Sequence, residues 1–453
     1  MEKEKFYFIV NRLILPLFTG SFLVGEEESS AREAEVALGK QNSLLIKPNK
    51  TADYRLILKR GRAFQPFEIN LLKNIIKEIN DITEVPLLDP TYEMTLLDKA
   101  IEKAVCDSVA LSASSTMLGL VTELNHWSER TYEGKKINFG IILNLSENVE
   151  ELALHYTNML SSDFFALLSD GKSSFVEFNR DGYLMGYVSL AKVRNYAFTA
   201  PNEFGFVARY CGEKKVGIAL TENGDLLIFK NRTLMFAKRR GKWNIYSHEE
   251  VIQLLSYRTA HSLKEIRRAI YLSAIDCSFR YTGGIIVYLK KDMAQSALTH
   301  VDARDILTEK HYEMKKAQEL EESEKLYNLS SAEKTREFYS LPYNEFLAQN
   351  NCYKAECLKQ IIEDKKFHEL NRKLREEIIA MDGATIIDFD GTIIAAGAIL
   401  KIEAGSIGGG GRLAAAMDLA KYGISLKISQ DGVIQGFSSD KKNSKTRLLF
   451  TVS

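Results

Sequence analysis

Between Met381 and Phe437 the chain alternates short apolar runs with glycine-containing turns, and this spacing constrains the fold more than any other stretch. Asp382-Gly383-Ala384 leads into an apolar run ending at Ile387. Asp388-Phe389-Asp390-Gly391 separates it from a second run, Thr392 to Leu400. Gly408-Gly409-Gly410-Gly411-Arg412 then precedes an alanine-rich helix former, and a last run, Ile424 to Ser429, ends in Gln430-Asp431-Gly432. Apolar runs this short, bounded by Asp-Gly turns, read as strands. Strand, turn, strand, glycine loop, helix and strand in succession predict an α/β fold in this region.

Upstream, Thr282-Gly283-Gly284-Ile285-Ile286-Val287-Tyr288-Leu289 is continuously apolar after its glycines, which predicts a central strand buried on both faces. Before it, Ser262 and Glu265 fit a capping box that opens a helix. Residues 306 to 372 are rich in glutamate and lysine at helical spacing and read as a solvated helical insertion. Tyr339 to Leu347 reads as a connector, and Cys357 to Ile379 as one helix.

The first 250 residues say less about chemistry. Residues 1–130 mix short strands with amphipathic helices such as Phe67 to Ile82. Residues 131–250 are β-rich, with strands expected at Phe175 to Phe178, Tyr183 to Leu190, Phe204 to Tyr210 and Val216 to Leu220. Hairpin signals stand at Asp170-Gly171, Asp181-Gly182 and Asn223-Gly224-Asp225, and Glu147 to Met159 reads as an inserted helix. The expected organisation is an N-terminal α/β module over 1–130, a β-rich regulatory module over 131–250, and a terminal domain over 251–453.

Lys+Arg and Asp+Glu number 60 each, so broad charge-driven binding of nucleic acid is not expected. Five scattered cysteines without a Cys-x-x-Cys suit a reduced, cytoplasmic chain. Phe6 to Val24 is apolar but broken by Asn11, Arg12, Pro16 and Gly20, which disfavours a membrane span.

Two motifs carry chemistry. Ile387-Asp388-Phe389-Asp390-Gly391-Thr392 has the form of the first motif of haloacid-dehalogenase phosphatases, with Asp388 as nucleophile. Only 61 residues follow Thr392, too few for the downstream domain such enzymes need, so a two-residue hairpin turn at Asp390-Gly391 is expected instead. The glycine run ending in Arg412 is the second motif. Backbone N–H groups at a helix start donate to an anion, and an arginine there can grip a phosphate with two donors.

Taken in order, these pieces resemble the diadenylate cyclase domain of the DNA-integrity scanning protein family, over about Ser256 to Phe437. Gly283 to Tyr288, Asp382-Gly383-Ala384, Ala395 to Leu400, the glycine loop and Ile424 to Ser429 carry the resemblance. It implies a mixed β-sheet flanked by helices and a face-to-face homo-oligomer in which each domain holds one ATP. Asp382 would sit at the ribose 3′ hydroxyl and at a Mg²⁺ or Mn²⁺ ion. Gly383, Ala384 and Leu400 would border the adenine, Gly410, Gly411 and Arg412 the phosphates, and Ser429 the nucleotide. The implied reaction joins two ATP into cyclic di-AMP and releases pyrophosphate, under control of the amino-terminal modules. Where the family carries Gly-Thr-Arg-His-Arg, this chain has Gly410-Gly411-Arg412-Leu413-Ala414; where it carries Ser-Glu, this chain has Ser429-Gln430. A nucleotide or cyclic-dinucleotide binding module that does not cyclise is the alternative, and the phosphatase a third.

Overall fold

The computed structural model describes residues 3–30, 32–83, 90–146, 154–193, 199–256, 263–325, 329–401, 410–439 and 445–452. The chain divides into two units, Met1–Glu250 and Val251–Ser453. Both mix helices with sheets, which places the protein in the α/β class.

In the first unit, strands Phe22–Glu28, Tyr54–Lys59, Ser43–Ile46 and Val36–Leu38 form an antiparallel sheet in that order. Helices Pro66–Thr83, Pro90–Ala110 and Ser114–Ser128 follow. A seven-stranded sheet comes next, ordered Lys242–Ile245, Thr233–Arg239, Leu226–Lys230, Lys215–Leu220, Phe139–Asn144, Ser174–Asn179 and Leu184–Ser189. Of its neighbours only Phe139–Asn144 and Ser174–Asn179 run parallel. One apolar core runs from Phe6 to Ile245 and joins side chains of both sheets and the helices between them. Helical residues Glu93–Ser128 are long and apolar enough to cross a membrane, but half of their most apolar 18-residue window is buried inside the protein, and the core helix of a soluble protein has the same character.

Phe204 to Tyr210 was expected as a strand and is instead a short 3₁₀ turn, Asn202–Phe204, running into the helix Gly205–Tyr210. Its buried residues, Phe204, Val207, Ala208 and Cys211, recur at helical spacing, which the apolar run concealed. Residues 147–153 of the expected inserted helix lie outside the described residues; Tyr156–Leu160 is helical.

The second unit is built on a six-stranded mixed sheet. Its order is Ile393–Ala398, Ala384–Ile387, Gly284–Leu289, Gly423–Ile428, Ile434–Ser439, Thr446–Val452. Gly284–Leu289 is central and wholly buried, as its continuous apolar run predicts. It pairs in parallel with Ala384–Ile387, register Ile285↔Ala384, and the other neighbours are antiparallel. A parallel pair needs a crossover connection, and here that connection carries the whole helical insertion.

Helices Lys264–Phe279 and Arg372–Ala380 pack together beside this sheet. Arg372 holds Asp276 through Nε at 2.6 Å and Nη2 at 2.7 Å. Ser262, of the expected capping box, lies outside the described residues; the helix begins at Lys264 with Leu263 at its N-cap. The stretch expected as one helix, Cys357 to Ile379, is broken into Tyr353–Ile362, a 3₁₀ turn Phe367–Glu369, and Arg372–Ala380. Glu363 and Asp364 adopt positive φ of 52° and 59°, a left-handed stop that periodicity alone does not reveal.

The insertion has a core of its own. Tyr312 of helix Glu309–Lys325 packs its ring against Tyr343 at 5.2 Å and Phe346 at 4.8 Å, and Tyr339 stacks on Phe346 at 6.1 Å. Tyr343 and Phe346 belong to the helix Tyr343–Gln349, so the expected connector is a packed element. Leu307 N–H donates to Ile394 O at 2.8 Å, closing the outer edge of the strand Ile393–Ala398.

Candidate functional site

The register of the sheet decides which residues meet. Ile285 pairs with Ala384, so Gly283 and Asp382 stand just before the starts of two adjacent parallel strands. Gly284 pairs with Ile428, so Ser429 leaves the neighbouring strand at the same end. Ala384 pairs with Ala398, so the chain reaches Ile399 and Leu400 there too. Gly411–Leu419 forms a helix with Gly410 as its N-cap. Asp382, Gly383, Ala384, Leu400, Ser429 and the start of that helix therefore gather at one end of one sheet.

Arg412 closes the group. Its Nη2 lies 3.7 Å from Asp382 Oδ1, and the two side chains are 40% and 87% exposed, so both are open to a ligand. A Cβ on Gly283 would lie 2.7 Å from Arg412 Nη1 and 3.4 Å from Gln430 Cγ. Only glycine at 283 leaves the guanidinium its place, so Gly283 and Gln430 belong to the site. Sequence reading took Gly283 only as the head of a strand. Its glycine pair was the signal, but nothing local says what fills the missing side chain.

Gly383 is fixed by its backbone. Its φ is +113°, and a Cβ there would meet Gly397 C at 2.5 Å. Asp382 is thus carried on a turn pressed against the strand Ile393–Ala398. Ala384 is buried in the ladder and supports that turn; Leu400 is half-buried beside an exposed Ile399. Lys354 of the insertion donates to Gly397 O at 2.6 Å and pairs with Asp305 at 2.6 Å, bracing the turn from behind. His300 clamps the segment after Leu400: its O accepts from Lys401 N–H at 2.9 Å, and its Nε2 meets Tyr422 Oη at 2.9 Å.

Gly410 has φ +82° and accepts from the N–H groups of Leu413 at 3.1 Å and Ala414 at 3.3 Å. The N–H groups of Gly411 and Arg412 come before the first intrahelical bonds and sit on an exposed helix start. Gly408 and Gly409 lie outside the described residues. Ser429 spends its backbone on a turn, N–H to Val433 O and O from Gly432 N–H, each 2.9 Å.

Among the described residues no three His, Cys, Asp or Glu side chains group to hold a metal ion. Asp382 offers a single open carboxylate. That suits a Mg²⁺ ion, which is commonly held by one or two carboxylates with substrate phosphates and water as its other ligands.

The other motif folds at the opposite end of the sheet. Asp388 N–H donates to Thr392 O at 2.8 Å and Gly391 N–H to Asp388 O at 2.9 Å, closing a three-residue turn. The hairpin stands, but it is one residue longer than expected, with Gly391 at φ +91° as a bulge. Asp388 lies 3.5 Å from His311 Nε2, and Asp390 is ion-paired with Lys366, whose Nζ also reaches Thr392 Oγ1 at 3.3 Å. Burial acts to raise both carboxyls. The opposing effects win: the nearby His311 imidazole and the Phe389 N–H hold Asp388 below the usual range, and Lys366 and Thr392 hold Asp390 at about 2.

Compared with protein-family models, with curated proteins and with solved structures, the chain matches none.

Proposed function

We propose that the second unit is a nucleotidyltransferase that condenses two ATP molecules into cyclic di-AMP. The observation that carries this reading is the convergence of Asp382, Gly283, Gly383, Ser429 and Arg412 at one sheet end beside an open helix start. An exposed acid 3.7 Å from an arginine, over a glycine floor, fits a ribose hydroxyl next to a phosphate. The residues are those that carry the resemblance to the diadenylate cyclase domain.

In this reading Arg412 and the N–H groups of Gly411 and Arg412 hold the phosphates, and Asp382 holds the ribose 3′ hydroxyl. Gly383, Ala384 and Leu400 form the base's shelf. Each 3′ hydroxyl releases its proton to water as its oxygen forms a bond to the α-phosphorus of the other ATP. The bond to the β-phosphate bridging oxygen breaks, and pyrophosphate leaves with the electron pair. The protein's part is positioning and charge neutralisation. A divalent ion brought in with the triphosphate would take Asp382 as its protein ligand and supply further neutralisation. Two nucleotides must face each other, so two copies of the unit are required, and the first unit would then regulate.

A second reading, a module that binds nucleotide without cyclising it, is favoured by Leu413 and Ala414 in the phosphate loop and by Gln430 in place of a carboxylate. Losing one preorganised donor costs roughly 2.7–4 kcal/mol of transition-state stabilisation. The phosphatase reading draws less support, because both of its aspartates are engaged by His311 and Lys366 in a closed turn. The test is pyrophosphate release from ATP by purified protein. Cyclisation requires that Asp382→Asn abolish release while Asp388→Asn leaves it intact. Tight ATP binding with no release selects the binding module, and release of inorganic phosphate that is lost with Asp388→Asn but kept with Asp382→Asn selects the phosphatase.

A further inference from the structure

Helix Pro66–Thr83 turns Leu72, Ile75, Ile76 and Ile79 into the core and leaves Lys73 and Lys77 exposed one turn apart. Like charges at that spacing repel. Arg32, ahead of the strand Val36–Leu38, and Lys50, after the strand Ser43–Ile46, border the same open cleft of about 970 Å³. Its size falls at the upper end of the roughly 300–1,000 Å³ of small-ligand sites. All four cations are exposed, and none of their side chains has an ion pair or hydrogen bond among the described residues.

The acids that could neutralise them are engaged by others. Glu78, next on the helix, is ion-paired with Lys103. Glu33 borders the cleft but accepts from Ser29 Oγ at 2.6 Å, Ser30 N–H at 3.1 Å and Arg55 Nη1 at 3.2 Å. Arg55 also donates to Glu27 at 2.6 Å. Behind the loop lies a further cation. Lys47 is fully buried, and its Nζ donates to two carbonyls, Ser30 O at 2.7 Å and Lys50 O at 3.2 Å, with no carboxylate partner among the described residues. A buried charge is screened less by salt than an exposed one. Six cations, the four of the lining with Lys47 and Arg55, stand against four acids, Glu27, Glu33, Glu35 and Asp81, which leaves two positive charges over. That excess matches a phosphate monoester, which carries nearly two negative charges at neutral pH.

The rest of the lining selects among phosphates. Among its described residues only Ala34 and Val36 are apolar and none is aromatic, so there is no ring to stack on a base. Glu35 and Asp81 form no ion pair among the described residues, and with Asn74 they offer oxygens to hydroxyl donors. Lys50 is carried on a set turn, because Asn49 Oδ1 accepts from Thr51 N–H at 3.1 Å, Thr51 Oγ1 at 3.0 Å and Ala52 N–H at 2.9 Å.

We infer that this cleft binds a small phosphorylated polyol, a sugar phosphate by class, its phosphate held by the lining cations and its hydroxyls by Glu35, Asp81 and Asn74. The inference stands whether or not the second unit is a cyclase.

Titrate the full chain calorimetrically with glucose 6-phosphate. Binding should be saturable, and the double change Lys73→Gln with Lys77→Gln should weaken it about tenfold or more, the weight of charge-assisted hydrogen bonds. Glucose, inorganic phosphate and AMP should each bind the unaltered protein about tenfold more weakly than glucose 6-phosphate. The absence of saturable binding overturns the inference. So does inorganic phosphate binding as tightly, which leaves only an anion patch, or AMP binding as tightly, which makes the site one for nucleotides; these comparisons hold whatever the variant's folding. Unchanged affinity in a folded double variant overturns it too.

Discussion

Asp382 and Arg412 illustrate how much a site depends on residues with no functional group. The arginine stands where it does because position 283 has no side chain, and the aspartate because Gly383 turns with φ +113°. The two glycines predict different outcomes. Gly283→Ala places a methyl 2.7 Å from a mobile guanidinium, so the fold should hold, with a melting temperature within about 2 °C. Under the proposed function, the Michaelis constant for ATP should rise about tenfold or more as Arg412 is displaced. Gly383→Ala instead drives a methyl into the Gly397 backbone in a strained conformation, and should cost about 1–3 kcal/mol in chemical denaturation. The order of the short motifs predicted that Asp382 and Arg412 would meet, and they do; Gly408 and Gly409 lie outside the described residues. Gly283, Gln430 and Lys354 were not legible in the sequence, because their roles arise from strand register and from a helix some thirty residues away in the chain.

Among the elements, the helical insertion departs most from what its composition suggests. Its charge pattern pointed to a solvated helix, and charges do cover its surface, but Tyr312, Tyr339, Tyr343 and Phe346 form a buried ring cluster. The four rings lie in a highly charged stretch and come from separate elements, Tyr312 from one helix, Tyr339 from just past the end of the next and Tyr343 with Phe346 from a third, so no single helical period marks them. Phe346→Ala should cost roughly 3–5 kcal/mol, seen as a lower denaturant midpoint. If Lys354 braces the site, this change should also reduce ATP turnover. The turn Phe389–Gly391 makes a second prediction. Asp390, held at about 2 by Lys366 and Thr392, lies below its unfolded value near 3.8. Its contribution is complete above about pH 4 and fades as pH falls toward 2. Thermal melts from pH 5 to pH 2.5 should therefore converge for the unaltered protein and Asp390→Asn; a difference that widens toward low pH would contradict the assignment.

At the scale of the molecule, the chain divides at Glu250 and Val251 into two compact units. The amino-terminal core runs without a break through residues 6 to 245, so its helices and both of its larger sheets should melt together. Residues 251–453 hold a complete sheet and the whole proposed site. Expressed alone, they should fold with a single cooperative transition; a fragment that stays unfolded would show that the division is not one of stability. The α/β class and the buried central strand could be read from apolar periodicity. The order of the six strands could not, because a crossover nearly a hundred residues long joins its one parallel pair. The decisive measurement is identification of the product by mass spectrometry after the full chain is incubated with ATP and Mn²⁺ or Mg²⁺. The proposed site predicts a species with the mass of two ATP less two pyrophosphates, absent with Asp382→Asn. Protein that binds ATP, forms dimers and yields no such species would contradict it.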